Sequence, residues 1–174
     1  MSAQRPAARL THLDRSGQVR MVDVSTKKVT RRTAVASAEI TMKPEALRML
    51  IGGGLKKGEG IVTAKIAGIQ AAKLTGQLIP LCHPLALEWV DVSCNTIARN
   101  RLRVVATVRT TSRTGAEIEA VMAATIAAIT VYDMCKSVDK QIVIGPIQLE
   151  RKKGGQSRVY RRVKTDVESS TGDT

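Results

Sequence analysis

The sequence predicts an α+β fold in which helices lie on one face of an antiparallel sheet, and three observations predict it. Two strand-patterned runs, Leu87–Ile97 and Arg101–Thr111, are joined only by Ala98-Arg99-Asn100, which makes them an antiparallel hairpin. Ala116–Cys135 carries alanine at 116, 120, 123, 124, 127 and 128 and reads as a central helix. The remaining strands and helices follow each other without regular alternation, as α+β folds do.

In chain order, Arg32–Met42 alternates well enough for a strand. Pro44, a favoured first residue of a helix, opens Pro44–Ile51, and Gly52-Gly53-Gly54 ends it. Ile61–Leu74 has helical spacing at Ile61, Ala64, Ile66, Ile69 and Ala72. After the hairpin and the central helix, Gln141–Leu149 reads as a last strand interrupted by Gly145-Pro146. Residues 1–20 are expected to be a mobile arm, 21–162 a single domain, and 163–174, rich in Thr, Ser, Asp and Glu, a disordered tail. There is no internal repeat. The central helix is apolar nearly all round, so either a sheet and a neighbouring helix sandwich it or a second subunit covers it.

A chain of 174 residues can bury a core without staples. Cys82, Cys94 and Cys135 stand far apart in no paired spacing, which points to reduced thiols in a cytosolic protein. Met1–Thr11 is polar and basic, so no signal peptide is expected, and Ala120–Tyr132 is shorter than the ~20 residues that cross a bilayer. The net charge of +13 calls for an anionic partner. With no Phe, one Trp and two Tyr, stacking platforms for single-stranded nucleic acid are scarce. Arg31-Arg32, Lys56-Lys57 and Arg151-Lys152-Lys153, which runs on to Arg158, Arg161, Arg162 and Lys164, would equally suit a nucleoside triphosphate. Composition alone does not choose between that and duplex nucleic acid.

Four motifs carry candidate chemistry, each beside a plainer reading. Asp133 and Lys136, three apart after a long charge-free run, share a helix face; they form either a surface ion pair or a proton-exchange pair. Gly52–Gly60 is a glycine-rich loop with Lys56 and Lys57, either a flexible connection or a phosphate cradle, but not a Walker A loop because Gly58 follows Lys57. His83 lies between Pro80 and Pro84, which stiffen the segment; it is either a satisfied core histidine or a donor to phosphate. Cys82 beside it has no second ligand cluster, so neither metal nor other cofactor is expected. Glu117 and Glu119 open the central helix, where the dipole favours acids whatever the function, or where a carboxylate can accept from a purine edge. Glu117 and Asp133 are sixteen residues apart, ~24 Å along a helix, so one small site can use both only if a second subunit supplies one of them.

Taken together and in order, these segments resemble the cyclic pyranopterin monophosphate synthase family, molybdenum cofactor biosynthesis protein C. The likeness runs from about residue 10 to 160. It is carried by His12, Met21-Val22-Asp23-Val24-Ser25, Arg32, Lys57-Gly58, Thr63–Lys73 and Leu78-Ile79-Pro80-Leu81-Cys82-His83-Pro84-Leu85. Thr114-Gly115, Glu117, Glu119-Ala120, Tyr132-Asp133-Met134-Cys135-Lys136 and Gly154-Gly155 carry the second half.

The resemblance implies a ferredoxin-like subunit, face-to-face dimers with the active site at their interface, and three dimers in a hexamer. It implies an enzyme that rearranges a cyclised dihydro-GTP, made by a preceding radical S-adenosylmethionine enzyme, to cyclic pyranopterin monophosphate with loss of pyrophosphate. It puts the catalytic aspartate and lysines on Asp133, Lys136 and Lys57. Substrate contacts fall on Arg32, His83, Glu117, Ile118, Glu119 and Lys152. Such a reaction needs repeated proton transfers, which a coupled carboxylate–ammonium pair can supply. Lys136 is then expected as principal acid/base, Asp133 as its positioner, Lys57 as second donor, and His83, Arg32 and Lys152 as counter-charges to the triphosphate.

The chain also departs from the family pattern. Ile118 replaces a common Met, Glu59-Gly60 replaces an Asp and a larger apolar residue, and Lys56 stands where His is frequent. Two other readings compete: a basic nucleic-acid-binding protein, which the missing aromatics disfavour, and a phosphate-binding protein without catalysis.

Overall fold

The computed structural model describes residues 16–155 and 159–163. His12 and the arm before Ser16, Arg158, and the tail from Lys164 onward lie outside the described residues.

Strand β1, Thr30–Thr41, starts two residues before the expected run and puts Ala34, Ala36, Ala38 and Ile40 on a fully buried face. Helix α1, Pro44–Ile51, matches its expected bounds, with Pro44 in its first turn. The chain turns at Gly53, whose φ of 71° is a backbone state that glycine adopts freely. Helix α2, Gly60–Leu78, runs four residues past Leu74 and stops where Pro80 forces Ile79 into extended backbone. The hairpin is β2, Trp89–Ala98, and β3, Arg101–Ser112, in antiparallel register. Helix α3 spans Glu117–Cys135.

Strand β4, Val143–Lys153, is displaced from the expected Gln141–Leu149 and takes in the basic run. Gly145-Pro146 does not break it, because a bulge sets those two residues against Glu39 alone, between the Ala38–Ile147 and Ile40–Ile144 pairs. A two-residue strand, β5, Tyr160–Arg161, extends the edge and was not foreseen.

The sheet order is β2-β3-β1-β4-β5, antiparallel throughout. Helix α3 lies over β1, β3 and β4, and α2 lies beside it against β2. The helices therefore cover one face, as expected. The shared core is largely alanine with branched aliphatics, so the layers sit close. Gly68 shows how close: a Cβ there would come within 2.7 Å of the Ala123 carbonyl oxygen. At 19 residues α3 is long and apolar enough to cross a membrane, which the shorter charge-free run is not. It is instead packed on the sheet, with Glu119 buried in its first turn. Sheet and α2 thus sandwich its inner side, while Ile118 and Ile129 remain exposed.

This packing positions two places. The start of β1, the end of β4 and the segment after β3 meet at the N-terminus of α3. The α1–α2 loop meets its C-terminus, where Asp139 accepts from the Lys43 N–H at 2.8 Å and the Gln141 N–H at 2.9 Å.

Candidate active site

At the C-terminal end of α3, Asp133 is held by two lysines. Lys57 donates to Asp133 Oδ2 at 2.8 Å and to its main-chain oxygen at 2.9 Å. Lys136 reaches Oδ1 at 2.7 Å. Glycine at 58, with φ of 91°, lets the loop turn back so that the Lys57 side chain reaches the helix end. The glycine-rich loop thus delivers its lysine to a carboxylate 76 residues away in sequence.

These contacts set the charges. Hydrogen bonds from Lys136 and then Lys57 hold the Asp133 carboxyl down at about 2. The same contact raises Lys136 above its ordinary value. Asp133 thus favours the protonated form of Lys136. Asp133 is a poor base and a strong anchor.

At the N-terminal end, Lys152 points from β4 toward the helices and meets Glu117 Oε1 at 2.9 Å. Arg32 donates to the Arg113 carbonyl at 3.1 Å and to the Gly154 carbonyl at 3.4 Å, and its Nε is buried without a partner. Gly155 sits at φ of 83°, a backbone state that favours glycine, and a Cβ there would also push the Arg32 guanidinium aside. Between them opens a cleft of about 490 Å³ whose walls include Lys27, Lys28, Arg32, Arg113 and Glu117. Glu117 is the one carboxylate on a lining otherwise cationic or neutral, and Lys152 already engages it.

The remaining expected residues take different places. Ile118 is exposed beside Glu117. Glu119 is 2% exposed: its Oε1 accepts from the Cys82 thiol at 3.6 Å, and its Oε2 is buried without a partner. Burial pushes the Glu119 carboxyl upward. Burial, with Glu119 beside it, pushes the Cys82 thiol up to about 11. That contact ties the proline-flanked loop to the first turn of α3 and places His83 at the same end. Asp23 lies near it. The Ser25 hydrogen bonds, with Arg20 and His83 as lesser charges, hold the Asp23 carboxyl below its ordinary value.

The structure therefore joins Lys57, Asp133 and Lys136 in one cluster and gathers Arg32, Glu117 and Lys152 in another. The two stand at opposite ends of a 19-residue helix, about 28 Å long. Sequence reasoning missed Lys27, Lys28 and Arg113 on the cleft wall; the Lys27-Lys28 doublet just ahead of β1 was the available signal. Among the described residues, no group of three or more His, Cys, Asp or Glu could hold a metal.

Fold and clusters together define an α+β protein with a largely cationic cleft at one end of a helix and a lysine-clamped carboxylate at the other. The MoaC family model matches residues 21–155, and the chain belongs to that family. It is 54% identical over 163 residues, 94% of this chain and 92% of the relative, to cyclic pyranopterin monophosphate synthase 3 of Mycobacterium tuberculosis. It is 52% identical over 154 residues, 88% of this chain and 91% of the relative, to the cyclic pyranopterin monophosphate synthase of Pelotomaculum thermopropionicum. The synonymous protein of Brevibacillus brevis is 46% identical over 153 residues, covering 88% of this chain and 96% of the relative.

Proposed function

We propose that this chain is a cyclic pyranopterin monophosphate synthase of molybdenum cofactor biosynthesis, converting a cyclised dihydro-GTP to cyclic pyranopterin monophosphate with release of pyrophosphate. The observation that carries the reading is Asp133 clamped between Lys57 and Lys136, at the end of a helix whose other end opens a cationic cleft. Relatives of that name, similar over nearly their whole length, support it.

In this reading Lys136, held protonated by Asp133, donates to the purine-derived ring as it opens, and Lys57 is the second donor. Arg32 and Lys152, with Lys27 and Lys28, neutralise the triphosphate and stabilise charge as pyrophosphate leaves. His83 serves the same end of the site, and Glu117 turns from Lys152 to the purine edge once phosphate takes its place. Ile118 shapes the mouth. Glu119 acts from beneath, by holding Cys82 and the loop that carries His83.

The separation of the clusters favours a homodimer in which one subunit supplies Asp133 and the other Glu117. Ile118 and Ile129 on α3 and Val62 and Ile66 on α2, all exposed, offer apolar surface for such a contact. A hexamer of three dimers is the assembly the family resemblance implies. With α1 and β5 set aside, the order β1-α2-β2-β3-α3-β4 supports a ferredoxin-like reading. We read residues 21–162 as the catalytic domain, the free thiols as suited to the cytoplasm, and a radical S-adenosylmethionine enzyme as the source of substrate.

The test is incubation of the purified protein with cyclised dihydro-GTP, following pyrophosphate release and the product's mass. Stoichiometric formation of both products is expected. Tight binding of the nucleotide with neither product would leave a phosphate-binding protein and overturn the proposal.

A further inference from the structure

The face of the sheet turned away from the helices is divided by charge. At one end its charges are matched: Glu39 meets Arg101 at 3.7 Å and Arg103 at 3.9 Å, and Arg103 meets Glu150 at 2.6 Å. At the other end they are not. Strand register puts Trp89, Arg109, Thr33 and Lys153 in one row across four strands, with Arg151 beside Val35 in the next row and Arg31 two residues from Thr33. Four cations thus ring Thr33. Among the described residues none of the four has a carboxylate within ion-pair distance, although Glu88 stands in the wall.

These side chains enclose a hollow of about 530 Å³. The Arg109 guanidinium carbon lies over the Trp89 ring, 4.2 Å from its centroid, a contact that holds the side chain in place while its N–H groups can still donate. Neighbouring strands are ~4.8 Å apart, so Arg109 and Lys153 flank Thr33 with backbones ~10 Å from each other. Four unmatched cations within that span repel one another, and an anion entering the ring relieves all of them together. The ring is closed on a compact anion; the phosphates of a duplex run along an extended line.

We propose that this end of the open sheet face is a second anion site, for a compact polyphosphate: pyrophosphate or the phosphate chain of a nucleoside triphosphate. It is separate from the cleft at Glu117, since Arg31 and Arg32 point to opposite faces of β1, and it does not depend on the catalytic reading.

Trp89 is the only tryptophan of the chain, so its fluorescence reports this site alone. Titrating the full-length protein with inorganic pyrophosphate, ATP and orthophosphate should give a saturable change in Trp89 emission. Pyrophosphate and ATP should bind at least tenfold more tightly than orthophosphate, and rising salt should weaken all three. Arg151→Gln and Lys153→Gln should each weaken pyrophosphate at least fivefold while leaving turnover of the cyclised nucleotide within twofold. Lys152→Ala, whose side chain is on the other face, should leave the Trp89 response unchanged. Arg31→Gln, on a different strand, provides the same test if a β4 variant folds poorly. No saturable response, equal responses in the Gln variants, or an oligonucleotide duplex that outcompetes pyrophosphate would overturn the site.

Discussion

The two ends of helix α3 carry similar residues in opposite states. At the C-terminal end one carboxylate is shared by two ammonium groups, so its charge is more than balanced and its geometry fixed. At the N-terminal end one lysine answers one glutamate, and the surrounding cations face an open cleft. A saturated cluster holds a proton in place; an unsaturated one waits for a ligand's charge. If the proposed roles hold, with chemistry at one end and binding at the other, substitutions at each end should separate kcat from KM.

The largest effect is expected at the saturated end. Asp133→Asn removes the charge that positions both lysines, so kcat should fall on the order of 10² to 10⁴ with KM within a few-fold. Near-normal turnover would remove Asp133 from the chemistry. The protonation of the cluster is checked separately by carbon NMR of the carboxyl. With its value held to about 2, the clamp is fully present above the ordinary carboxylate range and lost only as pH falls toward 2. Lys136, shifted upward, loses its part only as pH rises beyond the ordinary lysine range. Titration of Asp133 near 3.8 would mean that the lysines do not hold it.

The next effect belongs to the other end. Lys152→Ala removes a charge-assisted contact of ~1.5–3 kcal/mol, so KM should rise roughly ten- to a hundredfold with kcat changed far less. Mixing the two variants tests whether the ends belong to one site. In randomly reassorted dimers, half the molecules are mixed and each regains one intact site, so equal mixing should restore about a quarter of wild-type activity. Additive residual activities and no more would place each site within a single subunit.

Much of this was legible in the chain, for reasons specific to each element. Helix α1 was bounded correctly because Pro44 and Gly52–Gly54 are local signals that no tertiary contact overrides. Helix α2 ran on to Leu78 because Gly76 is there for packing: a Cβ would come within 2.8 Å of Pro84 backbone as the loop returns. Strand β4 continued through Arg151-Lys152-Lys153 because alternation splits the run, with Lys152 turned to Glu117 and its neighbours to the open face. The expected strand ended at Leu149 because a run of charge hides the period-two placement that continues it. The contact between Lys57 and Asp133 has no local signature at all, since loop closure across the domain creates it. The family resemblance named both residues, and the fold supplied the bond between them.

The smallest effect separates Glu117 from Glu119, two acids a residue apart that the sequence presents as equals. Glu117 lines the cleft and holds Lys152, so Glu117→Gln should cost turnover efficiency at least tenfold. Glu119 is buried against Cys82 with one oxygen unpartnered, and burial favours its uncharged form. Glutamine matches the carboxyl in shape and is spared the cost of burying a charge, so Glu119→Gln should keep kcat/KM within about threefold and change stability by about 1 kcal/mol at most. Without the neighbouring carboxyl the Cys82 thiol should titrate below its present value of about 11, and a thiol reagent should label it faster. Glu119→Ala, which also leaves a cavity, should cost more stability than Glu119→Gln. If Glu119→Gln instead lost activity as Glu117→Gln does, with Cys82 labelling unchanged, Glu119 would have to work as an anion in contact with substrate. The two ends of α3 would then differ by less than their geometry indicates.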